Sequence, residues 1–166
     1  MSTIGIVHTA FATIALGAGL AIFTIAKGTK LHRVIGYIYV ISMLSLNVTA
    51  LTIYRLFGGF GPFHVLAIVS LITLAAGFIP VFTKRPKQTW LYRHYEWILW
   101  SYVGLVAAAA SEFLTRAPVI DRSGAAFAAA VFVASTLIIF IGASIIYRKR
   151  QAVVSRVLAM LRARAS

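Results

Sequence analysis

The sequence predicts an all-α integral membrane protein: a five-helix antiparallel transmembrane bundle followed by a C-terminal amphipathic surface helix. Three observations predict it. Apolar residues make up 61% of the 166 residues and charged residues only 11%, whereas a water-soluble domain needs about a quarter charged residues to cover its surface. Mean hydropathy is correspondingly high at +0.92. Long apolar stretches recur between basic or glycine-rich breaks, and a hydrocarbon core of ~30 Å takes roughly 20 residues of helix to cross. The alternation of a barrel strand is missing. Backbone groups in lipid must pair within their own segment, so runs of this kind read as helices.

The first stretch, about Thr3–Ala26, has no basic n-region and exceeds a signal h-region in length, so it reads as a retained span. The second, about Val34–Leu56, follows the basic connection Lys27–Arg33 (KGTKLHR). The third, Phe63–Phe82, follows FGGFGP, and Pro62 stands at its start, where a missing N–H does no harm. Pro80 falls in its last turn and is expected to bend or end it. The fourth, Tyr95–Leu114, follows TKRPKQTWLYR at Thr83–Arg93, and the fifth, Ala125–Tyr147, follows TRAPVIDRSG at Thr115–Gly124. Connections this short make successive helices antiparallel neighbours. The length therefore suits one transmembrane domain, residues 1–147, with a basic tail at 148–166. In that tail Val153, Val154, Val157, Leu158 and Leu161 recur at helical spacing, with Arg156, Arg162 and Arg164 mostly off the stripe. The pattern suits a helix lying on the inner leaflet, and a solvated basic tail is the plainer alternative.

Basic residues set the orientation. Of the 16 lysines and arginines, all but Arg55, Arg116 and Arg122 fall on one side of the alternating spans. The amino terminus is therefore expected outside and the carboxyl terminus in the cytoplasm. A formal charge of +13 without a nucleic-acid motif points to anionic lipid headgroups at the cytoplasmic face, not to nucleic acid. The lack of cysteine excludes disulfides, thiolate metal sites and iron–sulfur clusters.

The 4 histidines carry the functional question. Helix direction sorts them, with His8 and His64 toward the outer face and His32 and His94 toward the inner face. An ionisable side chain inside a membrane is costly to leave without a role. Two imidazoles at matched depth on helices i and i+2 can ligate one haem iron, and repeating the pattern at the other face stacks two haem b groups across the bilayer. Bis-imidazole ligation suits electron transfer. Ala12, Gly36, Gly61 and Ala67 offer the flat walls a porphyrin needs. The arrangement resembles the diheme b-type cytochromes that pass electrons from ascorbate-like donors across membranes, where paired histidines also come from alternate helices.

Other readings stay open. His8, His64 and Glu112 lie at similar depth and could form a two-histidine, one-carboxylate zinc site with an open position for water, which would suit a hydrolase. Against it, Arg116 is one turn from Glu112 and Arg55 lies at matching depth, so the carboxylate can simply pair with arginine and tie the second and fourth helices. The histidines can also be ordinary interfacial residues, His32 and His94 above all, because both fall in basic connections. The chain would then be a non-catalytic accessory subunit docked on a larger membrane complex. His94 and Glu112 are five helical turns apart, so Ile98, Ser101, Leu105 and Ala108 share their stripe, expected to face inward. Asn47, Thr49 and Thr52 give the second span a hydrogen-bonding surface for a neighbouring helix.

Three motifs together carry a family likeness: HRVIGYIYV (His32, Arg33, Gly36, Tyr37), GPFH (Gly61 to His64), and the set His94, Trp100, Ser101, Tyr102, Glu112 and Arg116. Over about residues 5–116 the chain resembles the bacterial membrane proteins grouped as domain of unknown function 2306. The resemblance implies a multi-helix protein of the bacterial inner membrane and implies no activity, cofactor or substrate.

Overall fold

The computed structural model describes residues 2–54, 58–116 and 125–163, with backbone alone at 62, 115–116, 125–128, 130, 149–154, 156–158 and 160–163. The described residues form five α-helices: α1 (Thr3–Thr24), α2 (Lys30–Thr52), α3 (Pro62–Thr83), α4 (Trp90–Arg116) and α5 (Ala125–Ala163). Each contains a stretch long and apolar enough to cross a membrane. The chain is therefore a multi-pass membrane protein of the expected all-α class. It divides into two compact units, residues 1–72 and 73–166, and α3 contributes to both.

In the first unit α1 packs on α2. The buried residues of α1, Ala15, Gly19 and Ile22, fall at helical spacing, and α2 buries Tyr39, Val40, Ser42, Met43, Leu46 and Asn47. His8, early in α1, touches Thr49, late in α2, so the two helices run antiparallel. Asn47 donates from Nδ2 to the carbonyl of Met43 at 2.7 Å and to Ser70 Oγ on α3 at 3.1 Å.

Local caps set where the helices begin. Ser2 accepts from the Gly5 N–H at the start of α1. Thr29 accepts from the His32 N–H at 3.1 Å, which starts α2 at Lys30, four residues before the apolar run begins. Between them Lys27 curls back, and its Nζ donates to the carbonyls of Ile22, Phe23 and Ile25. A cation there satisfies carbonyls that the end of α1 leaves open. Partial burial pushes the Lys27 ammonium pKa below the ordinary lysine value.

In the second unit the end of α3 packs on α4, and α4 packs on α5. The expected inward stripe of α4 holds at Ile98, Ser101 and Leu105, all buried. Further along, burial moves to Ala107 and Ser111. The reason is that α4 turns a second ridge, Val103, Ala107 and Ser111 at four-residue spacing, toward α5. On that ridge Ser111 and Ser135 hydroxyls are 2.7 Å apart, and Gly142 admits Val103 so closely that a Cβ there would stand 2.5 Å from its Cγ2.

Pro80 does not end α3, which runs to Thr83. Lys84 follows with φ 53, bonds back to the Pro80 carbonyl at 2.9 Å, and lays its ammonium 4.0 Å from the Trp90 ring centroid. The start of α4 is Trp90, five residues earlier than the apolar run indicates, because the turn after Pro86 already accepts the N–H groups of Thr89 and Trp90. The basic tail is helical and continues α5 to Ala163 without a break. Its amphipathic stripe lies outside the described side chains.

Candidate functional site

The segment Gly61–Pro62–Phe63–His64 builds the most specific local structure. Gly61 stands before α3 and its carbonyl accepts from His64 N at 3.0 Å and Val65 N at 3.4 Å. The Gly61 N–H in turn donates to His64 Nδ1 at 3.1 Å. A side chain at the third helical position reaching back to the cap N–H is the geometry of a capping box, with imidazole here in the place usually taken by Glu or Gln. Pro62 supplies the first helical position, where no donor is needed.

This contact fixes the ring's chemistry. A nitrogen that accepts a hydrogen bond carries no proton, so neutral His64 is the Nε2–H tautomer. The residue is 2% exposed, and Nε2 has no hydrogen-bond partner among the described residues. Two rings from the preceding segment stack on the imidazole, Tyr54 at 4.8 Å and 27° and Phe60 at 5.0 Å and 30°. An N–H buried in such surroundings without an acceptor carries a desolvation penalty of about 1–3 kcal/mol.

His8 and His94 are set the other way. His8 Nδ1 lies 3.0 Å from Thr49 Oγ1. The Thr49 hydroxyl is 2.8 Å from the carbonyls of Ser45 and Leu46, so its one proton serves its own helix and its lone pair accepts from His8. His94 Nδ1 lies 2.8 Å from the Gly77 carbonyl, which can only accept. Both rings are therefore Nδ1–H tautomers with the lone pair on Nε2. His32 lies in the first turn of α2 and is half-buried, not in a wet connection as the sequence suggests. His94 likewise lies within α4.

The first unit thus holds His8, His64 and His32, and the second holds His94 and Glu112. No hydrogen bond joins His8 to His64. Among the described residues no three His, Cys, Asp or Glu side chains stand together as a metal ion would require. The arginine partners expected for Glu112 lie outside the description, Arg55 wholly and Arg116 in its side chain.

Sequence patterns offer Thr49 as inter-helix packing and Gly61 as a flat wall, and nothing singles out Gly77. In the structure each is the hydrogen-bond partner of a histidine. The GPFH string held the signal for one of them, since proline at the first helical position with a side-chain acceptor two residues later spells a helix start.

A family model described as a predicted membrane protein, DUF2306, matches residues 5–146. The match reaches beyond the likeness legible in the motifs and takes in the fifth span. Neither a curated protein nor a solved structure matches the chain.

Proposed function

We propose a function for a chain that belongs to the DUF2306 family of predicted membrane proteins: it carries electrons across the inner membrane of a bacterium on haem b held by histidines. His8 and His64, both in the first unit, would hold one group, and His32 and His94 are the further imidazoles open to the same use. The observation that carries the reading is His64, an imidazole 2% exposed inside a membrane-long helix, whose Nε2 has no protein partner among the described residues. A buried polar atom without a protein partner marks the position for a bound group, although as an N–H donor it would have to give up its proton before it could ligate iron.

The donor chemistry of two other histidines suits the group. With Nδ1–H committed to Thr49 and to the Gly77 carbonyl, His8 and His94 carry their lone pair on Nε2, the form a metal takes, and the same bonds orient each ring. An iron with two imidazoles, when bound, exchanges single electrons and offers oxygen no open position. His64 matches in burial. Its proton, however, sits on the nitrogen that would have to ligate.

The finer topology belongs to the same proposal. The amino terminus lies outside, the carboxyl terminus lies in the cytoplasm, and the basic end of α5 meets anionic headgroups of the inner leaflet.

The test is the spectrum of the protein purified from membranes of cells supplied with haem precursor. A Soret band that shifts on reduction and is lost in His8→Ala and His94→Ala supports the proposal. A colourless preparation, still colourless after haemin is added, ends it. The second reading then stands, an accessory membrane subunit. It too has a specific observation behind it: the His8–Thr49 and His94–Gly77 bonds are complete inter-helix fasteners in themselves.

A further inference from the structure

We propose that the connection between α3 and α4 binds an anionic phospholipid whose headgroup carries two phosphates. The inference rests on the reading that basic residues beside the spans meet anionic lipid, and it is independent of haem.

The segment from Thr83 to Arg93 (TKRPKQTWLYR) joins two helices of membrane-crossing length, which puts it at the level of headgroups. It carries Lys84, Arg85, Lys87 and Arg93, all exposed, and no acid. Glu96, one turn beyond Arg93, is the nearest carboxylate, so four cations face one anion and positive charge is in surplus. The backbone that displays them is tied at both ends. The Lys84 N–H donates to the Pro80 carbonyl at 2.9 Å, and the Pro86 carbonyl accepts from Thr89 N at 3.0 Å and Trp90 N at 2.9 Å. The Lys84 ammonium lies over the Trp90 ring, which fixes the turn across its width.

An apolar surface continues from these cations along both helices. On α3, Ile79 and Phe82 are exposed just before Lys84, and Phe78 meets Phe82 edge to face at 4.9 Å. On α4, Trp97 is exposed four residues after Arg93, a spacing that puts the two on one helix face. Exposed cations at the ends of the spans with exposed rings beside them match the two parts of a phospholipid, headgroup and acyl chain. Charge then selects the headgroup. A single phosphodiester bears one negative charge and leaves most of the surplus unanswered. Two phosphates bear twice that, and Arg85 and Arg93 each bring a planar fork that takes a phosphate through paired hydrogen bonds. Basic sites beside membrane helices hold headgroups of this class.

The test is titration of the full chain in detergent with cardiolipin, with phosphatidylglycerol at matched phosphate, and with inorganic pyrophosphate, bound molecules being counted by native mass spectrometry. Cardiolipin should be retained at a concentration about 10-fold below phosphatidylglycerol, and pyrophosphate should not be retained. The variant Arg85→Gln, Lys87→Gln, Arg93→Gln spares Lys84, which also holds Trp90. It should weaken cardiolipin binding roughly 100-fold, about 5-fold for each cation removed. Arg148→Gln, Lys149→Gln, Arg150→Gln removes the same charge from α5 and should weaken it by less than about 5-fold. Arg85→Lys, Arg93→Lys keeps every charge and should narrow the preference for cardiolipin over phosphatidylglycerol to about 2-fold.

Equal losses in the two glutamine variants overturn the site and leave the general attraction to anionic lipid standing. Equal affinity for phosphatidylglycerol, or retention of pyrophosphate, overturns the two-phosphate lipid as occupant. Retention of no anionic lipid by any form of the chain overturns both the site and the headgroup reading beneath it.

Discussion

His94 on α4 donates from Nδ1 to the backbone carbonyl of Gly77 on α3 at 2.8 Å. Two features of α3 make that carbonyl reachable. Gly77 has no Cβ, and one placed there would stand 3.0 Å from the backbone nitrogen and side chain of Ile98. Pro80 has no N–H to give the Ala76 carbonyl, so the turn holding Gly77 lacks one of its rungs. Neighbouring helices commonly satisfy backbone groups around such a proline in a membrane.

Removing the donor should weaken this joint modestly. Inter-helix hydrogen bonds in membranes average about 0.6 kcal/mol and reach about 2 at most. His94→Ala is expected to lose stability in that range, and Gly77→Ala more, about 1–3 kcal/mol, because it pushes α4 away as well. Reversible unfolding in mixed micelles measures both. A harmless Gly77→Ala would mean that the close approach carries no weight.

The α4–α5 contact gives a rescue experiment. A Cβ at Gly142 would lie 2.5 and 2.7 Å from the two methyls of Val103. Gly142→Ala should destabilise by about 1–3 kcal/mol, and Val103→Ala should restore much of it, with a coupling of roughly 1 kcal/mol between the two. Strict additivity in the double variant would show that the clash is relieved elsewhere.

Asn47 tests the polar joint of the first unit. Asn47→Leu forfeits the bonds to Met43 and Ser70 and should lower stability by about 0.6–1.5 kcal/mol. Asn47→Asp retains the shape and introduces an acid in a 4% exposed position. Its expected loss is larger, about 2.5–3.5 kcal/mol. The ordering of the two variants is the readout, and an aspartate better tolerated than leucine contradicts a dry joint.

Orientation can be read in cells. A reporter that works only in the cytoplasm, fused after Ser166, should be active, and the same reporter placed before Ser2 should be silent. Reversing Lys27, Lys30, Arg33, Lys84, Arg85 and Lys87 to glutamate and glutamine should reduce the bias, since basic residues near the spans set it. Activity of the amino-terminal fusion in the parent chain would invert the topology.

Much of this architecture was legible before any coordinates. Five spans follow from hydropathy because lipid leaves an apolar chain of that length one option, the helix. The starts of α2 and α4 were placed too late because periodicity sees only the apolar run. Thr29 and the turn after Pro86 begin each helix in polar sequence. The histidines stood out as residues, yet their partners did not. Gly77 is 17 positions from His94 and contributes a backbone oxygen, which no residue pattern displays. Thr49 was visible as a hydroxyl on the second span, but its pairing with His8 depends on antiparallel register fixed by the packing of Ala15, Gly19 and Ile22.

The unbroken course of α5 bears on motion. Thirty-nine residues of helix measure ~58 Å along the axis at 1.5 Å per residue, nearly twice the ~30 Å of hydrocarbon. From Lys149 to Ala163 the helix continues for ~22 Å beyond the span with no hinge between them. It is a lever: a 10° lean of the membrane-spanning portion displaces its basic tip by roughly 4 Å, so small rearrangements against Val103 and Ser111 reach the carboxyl-terminal end enlarged.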